Sequence, residues 1–131
     1  MGNCHSTSFK CLGVLTWVPL ETIELGTVLV LDTKRCTANS LKSASYIHQS
    51  SSYIFRPDKG VIGRCWYSKG TEFLRIHRTT RFDEFHRAGT ALESEIRCIF
   101  ATYDEELNEV KEYLNTDRKY ENEDKLCSVC K

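Results

Sequence analysis

The sequence predicts a single mixed α+β domain, and three observations carry that expectation. Two apolar runs alternate like strands. Residues 12–20 set Val14, Thr16 and Val18 against Leu15 and Trp17, and residues 94–102 set Ile96, Cys98 and Phe100 against Arg97, Ile99 and Ala101. Helical spacing lies between them, with Phe82, Phe85, Gly89 and Leu92 on one face. The 131 residues, 40% apolar and 11% aromatic, suffice for one core.

In chain order, residues 1–11 read as a flexible N-terminus. Met1-Gly2-Asn3-Cys4-His5-Ser6 fits the pattern for N-myristoylation of Gly2. One myristoyl chain holds a membrane only marginally, and no polybasic run follows. Cys4 is therefore the candidate second, palmitoylated anchor. Accidental residues in a flexible end are the alternative. Residues 12–20 read as a strand buried on both sides. Residues 28–31, rich in branched side chains, read as a second strand, reached through a connection ending at Gly26. Residues 32–39 are polar and loop-like. Ser40 is placed to cap a helix through Ala44 and Ile47, which the polar run 49–52 breaks. Tyr53, Ile54 and Phe55 suggest a short strand.

The stretch 53–66 organises the rest. Pro57 fixes φ and Asp58 favours a local turn, so the backbone reverses there. Gly60 and Gly63 bracket Val61 and Ile62, and glycine permits a positive φ or a close backbone approach. Val61, Ile62, Cys65 and Trp66 are apolar at helical spacing. Such a helical turn either seals a core or forms the rim of a pocket. Beyond it, residues 67–70 turn and residues 71–77 alternate as an edge strand. Thr80 caps a helix over residues 81–92, where Gly89 permits close packing on a sheet. After the strand at 94–102, Asp104 caps a last helix over residues 105–114 with Leu107, Val110 and Leu114 on one face. Residues 115–131 are charged and expected to be disordered.

Gly60-Val61-Ile62-Gly63-Arg64-Cys65-Trp66 resembles the Gly-x-x-Gly-Arg-x-Trp/Phe signature of GAF domains. The likeness is greatest to the divergent GAF-like domain of plant RWP-RK (NIN-like) regulators. It extends to the Trp-x-Pro of Trp17 and Pro19, to the Ser-x-x-Tyr-x-Phe ending at Phe55, and to Glu72-Phe73 in place of Pro-Glu-Trp. It includes the Arg and Ala of residues 81–88 and the strand ending near Thr102. Together these cover roughly residues 12–102. The resemblance implies an antiparallel sheet flanked by helices, over residues 12–114. It also implies a further strand after Thr102 and then a closing helix. The predicted helix at 105–114 departs from that pattern, as does the lack of a long helix before the Trp17 strand, so either a smaller sheet than usual or a trimmed version of the domain is expected. The DNA-binding motif of the plant regulators has no counterpart here, so a transcription-factor role does not carry over.

Composition excludes several classes. Lys and Arg total 18, as do Asp and Glu. Residues 1–102 carry a net +4 and residues 103–131 a net −4, which lacks the basic stripe of a nucleic-acid binder. The start of the chain lacks the build of a secretory signal, and no apolar run approaches the roughly 20 residues that span a bilayer. The seven cysteines are irregularly spaced, which favours reduced thiols in the cytoplasm. Cys127 and Cys130 form one C-x-x-C with no second pair, so no metal site is expected. Cys65, beside Arg64, is the best candidate for a reactive thiol, against the commoner reading of a buried structural cysteine.

Arg75, His77, Arg78 and Arg81 form a local cationic cluster, either solvated charge or a grip for an oxyanion. The expected function is non-catalytic: a GAF-like sensory module binding a small-molecule or anionic ligand or a signalling partner, with no cofactor and no nucleic acid. Its pocket would lie between the sheet and residues 60–66 and 81–92. Cys65, Trp66, Phe73, Phe82, Phe85, Cys98 and Phe100 would line it, with Arg75 or His77 fixing a polar group. The alternative is a protein-interaction platform, anchored through Gly2 and Cys4 at the cytoplasmic face of a membrane, with no small ligand.

Overall fold

A computed structural model of the chain describes residues 11–77 and 85–115. Gly2, Cys4, Arg78, Thr80, Arg81, Phe82, Cys127 and Cys130 lie outside the described residues, as do the roles assigned to them. The elements are β1 (Cys11–Thr22), β2 (Gly26–Leu31), a 3-10 turn (Thr33–Arg35), β3 (Thr37–Ala38), α1 (Leu41–Ser50), α2 (Gly60–Ser68), β4 (Thr71–Arg75), α3 (Ala88–Glu93), β5 (Cys98–Asp104) and β6 (Glu109–Asn115). The fold is α+β: a curled antiparallel sheet and three helices.

The strands run β2-β1-β6-β5-β4, with every neighbour antiparallel. The long β1 pairs along one edge with β6 and along the other with β2 and, nearer its start, with β3. Beyond β2, Phe55 closes a single bridge with Leu29, exchanging both backbone hydrogen bonds at 2.7 and 3.0 Å. The short strand expected at residues 53–55 is that one bridge.

Pairing fixes the faces, because directly opposed residues share one. Leu15, Trp17, Ile99, Ala101, Val110 and Leu114 face the helices and form the core with Tyr46, Phe55, Ile62, Cys65 and Phe85. Helix α1 presents Ser43, Tyr46 and Ser50 at helical spacing. Ser40 caps it as expected, in a reciprocal capping box with Ser43.

The glycine pair around Val61 works through two different constraints. Gly60 has φ of 70°, the left-handed region that side chains disfavour. Gly63 has an ordinary φ, but a Cβ there would collide with the Arg56 carbonyl oxygen. The Asp58 amide also donates to the Gly63 carbonyl at 3.0 Å, which draws the Pro57–Asp58 reversal onto the helix.

Three expectations require correction. The last helix is absent: residues 109–115 form β6. Asp104 Oδ1 accepts from the Leu107 amide at 3.2 Å, and Asn108 takes φ of 55°, so the chain reverses into a hairpin instead of starting a helix. The helix expected over residues 81–92 is α3, which begins only at Ala88, and Phe85 is buried ahead of it. Gly89 makes no close approach, since a Cβ there would meet nothing within 4 Å.

Candidate functional site

Glu112 lies in the middle of β6 between Val110 and Leu114, and the strand period turns all three inward. Its partner across the chamber is Arg87, the residue before α3. Arg87 is 2% exposed and Glu112 is 0% exposed. The two meet as a fork: Arg87 Nη1 donates to Glu112 Oε1 at 3.0 Å and Nη2 donates to Oε2 at 2.9 Å. Trp17 Nε1 also donates to Oε1 at 2.8 Å, and the Tyr46 hydroxyl reaches Oε2 at 3.4 Å. Arg87 Nη1 makes a further bond to the Ser50 hydroxyl at 3.2 Å.

Four rings surround the guanidinium. Its central carbon lies 5.2 Å from the Trp17 ring, 5.4 Å from Tyr46, 5.3 Å from Phe55 and 5.0 Å from Phe85. Each ring face attracts the cation, more strongly away from water. Trp17 and Phe55 meet edge-on at 5.1 Å, which fixes the corner of the box. Burial presses the Arg87 pKa down, but the Glu112 charge, its hydrogen bonding to Arg87 and the neighbouring tyrosines together more than offset it, so the pKa stands above the usual arginine value. Burial holds the Tyr46 phenol well above its usual range. Arg87 Nε is the buried atom of the group with no hydrogen-bond partner.

The residues expected to line one pocket are divided by the sheet. Cys65 and Phe85 are on the helix side, in the core. Trp66 is half-buried at the end of α2, its Nε1 donating to Asn108 Oδ1 at 3.2 Å and Lys69 Nζ lying 4.9 Å from its ring. Phe73, Cys98 and Phe100 fall on the opposite face, with Arg75 opposed to Cys98 and Phe73 to Phe100. Phe100 lies 6.0 Å from Tyr113 on that outer face. The core-facing members of β5 are Ile99 and Ala101, so a single chamber lined by the whole expected set does not form among the described residues. His77 is exposed at the end of this segment.

Cys65 has the surroundings of a structural thiol. It is 1% exposed and donates to the Ala101 carbonyl at 3.5 Å. Burial pushes its pKa up to about 12, with the Glu72 charge adding to the effect and the Arg64 charge opposing it. Arg64 is itself engaged, forking onto Glu72 with both bonds at 2.8 Å. That pair ties the Gly-x-x-Gly-Arg segment to β4.

Sequence reasoning missed both Arg87 and Glu112. It also missed Glu109, which is 1% exposed on the outer face. Arg35 Nη2 reaches Glu109 at 2.7 Å and Lys111 Nζ lies 3.3 Å away, fastening the 3-10 turn to β6. An open groove of about 570 Å³ adjoins the β5–β6 hairpin, with Tyr103 and Tyr113 among its walls and Asp104, Glu105 and Glu106 along it. Among the described residues, no group of three His, Cys, Asp or Glu side chains is placed to hold a metal ion. No described helix is long and apolar enough to cross a membrane. No family model matches the chain, and no curated protein matches it significantly.

Proposed function

We propose that the chain is a non-catalytic GAF-like regulatory module that signals through a protein partner held on its outer surface, with no diffusible ligand inside. The observation that carries this reading is the Arg87–Glu112 fork. The space between sheet and helices, where the resemblance calls for a ligand, holds the protein's own guanidinium and four aromatic rings.

Support for the family part comes from β6. The resemblance requires a further strand after the one ending near Thr102, and Glu109–Asn115 supplies it. Support for a non-catalytic role comes from Cys65, whose thiol is buried and pushed up to about 12, far from a working nucleophile. For the partner, the groove beside β5–β6 offers Asp104, Glu105 and Glu106 next to tyrosine rings, with Lys111 in the wall paired to Glu109, a net acidic chemistry suited to a basic segment. Lipidation at Gly2 and Cys4 would hold such a platform at a membrane.

The deciding experiment is a thermal-shift screen of the full chain against nitrate, other small anions and neutral metabolites. A ligand that binds only the folded state must raise its melting temperature. The platform reading expects no saturable shift from any of them. A saturable shift that Glu112→Gln abolishes would return the chamber to the sensor reading.

A further inference from the structure

We propose that the chamber enclosed by β1, α1 and β6 is a recognition site for a guanidinium group, filled in cis by Arg87. Its ligand class is the alkylguanidinium cation. This goes beyond the platform reading and holds whether or not a partner docks outside.

The walls are assembled almost wholly by parts of the chain other than the one that fills them. Trp17 comes from β1, Tyr46 and Ser50 from α1, Phe55 from the bridge to β2, and Glu112 from β6. Together they match the two terminal nitrogens and the planar carbon of a guanidinium. A carboxylate offers one oxygen to each terminal nitrogen, a hydroxyl accepts from one of them, and rings cover the planar carbon at 5.0–5.4 Å. An ammonium has no fork to match the two oxygens, and a neutral urea has no charge to set against Glu112.

The fit ends at the stem. Arg87 Nε has no partner, so recognition is concentrated on the two terminal nitrogens. A free alkylguanidinium presents the same two nitrogens without needing the arginine backbone. The central carboxylate also inverts the ligand class expected from the cationic cluster, because nitrate or any other anion would be placed against Glu112. Arg87 is joined to the fold on both sides, so its effective concentration at the site excludes a free competitor from the intact protein.

The test removes the tethered occupant. Arg87→Ala is titrated with propylguanidinium, propylammonium and propylurea at millimolar concentrations, and melting is followed. Propylguanidinium should raise the melting temperature saturably, propylammonium less, and propylurea not at all. Wild type should respond to none of them. In Arg87→Ala with Glu112→Gln, the response to propylguanidinium should be lost. If Arg87→Ala does not fold alone, its refolding yield is measured with the same three compounds, and a saturable gain with propylguanidinium is expected. Indifference to propylguanidinium in both measurements overturns the proposal. So does an equal response to propylurea, a response that survives Glu112→Gln, or an equal shift of wild type, which would put the binding elsewhere.

Discussion

A hydrogen atom in place of a methyl group at Gly63 lets α2 lie under the reversal at residues 56–58. Any Cβ at Gly63 meets the Arg56 carbonyl oxygen, which is backbone and cannot rotate away. At Gly70 the nearest atom to a Cβ is the Ser68 hydroxyl at 3.1 Å, which can turn aside. Gly63→Ala should therefore cost about 1–3 kcal/mol, the usual range for overpacking. Gly70→Ala should stay within about 0.5 kcal/mol, as surface changes do. Urea denaturation of the two variants measures the difference, and equal midpoints would remove Gly63 from its organising position. Cys65 supports a pH prediction at the same scale. Its folded pKa of about 12 stands above the ordinary value of 9.0. The stability linked to its protonated thiol is complete below the unfolded value and falls away as pH rises from 9 to 12. Cys65→Ala should flatten that part of the alkaline unfolding profile. An unchanged alkaline profile would show that the Cys65 titration does not set it. Gly60 and Gly63 were legible in the sequence because their spacing is local, whereas the close packing expected at Gly89 was not found. The Arg64–Glu72 fork was not legible, because it depends on how α2 meets β4.

The elements differ in how clearly their periods read. The α1 helix was legible because its cap is a neighbour in sequence: Ser40 and Ser43 satisfy each other's backbone amides at 3.1 Å. Ser40→Ala should cost about 1 kcal/mol by the loss of that cap. No loss of stability in a melting experiment would mean that tertiary packing alone holds α1. The β6 strand was misread for a physical reason. Val110 and Leu114 stand four apart, which satisfies a helix and a strand alike, and the residue that separates the two periods is Glu112. A buried carboxylate looks polar in a sequence, so the inward alternation of residues 110, 112 and 114 was hidden. In β5 the alternation was legible only from Cys98 onward: residues 94–97 precede the strand, and Ile96 lies in the core and not beside Cys98 and Phe100. Which set faces the core depends on where the helices lie. Phe85 was correctly read as buried but was placed within a helix that begins three residues later. Its ring packs against Arg87, 5.0 Å from the guanidinium carbon. Phe85→Ala should cost about 3–5 kcal/mol, the range for truncating a buried aromatic. A loss under about 1 kcal/mol would place Phe85 among surface positions.

At the scale of the whole molecule, one buried ion pair joins the parts. Glu112 belongs to the sheet, Arg87 leads into α3, and Trp17, Tyr46 and Ser50 bring β1 and α1 to the same point. Such a pair adds little stability compared with a well-packed apolar core, because desolvating two charges offsets most of their attraction. Removing one partner is different, since it leaves a bare charge in the interior. This pair occupies the middle of the fold. A double-mutant cycle on Arg87→Met and Glu112→Gln tests it most directly, because glutamine keeps an acceptor oxygen for Trp17 and can turn its amide nitrogen to the Tyr46 hydroxyl oxygen. Each single substitution should cost about 3–5 kcal/mol by leaving the other charge unpaired. The double variant should lose much less than their sum, with a coupling of roughly 2 kcal/mol or more, within the range for residues in one network. Additive losses in the double variant would mean that Arg87 and Glu112 do not meet.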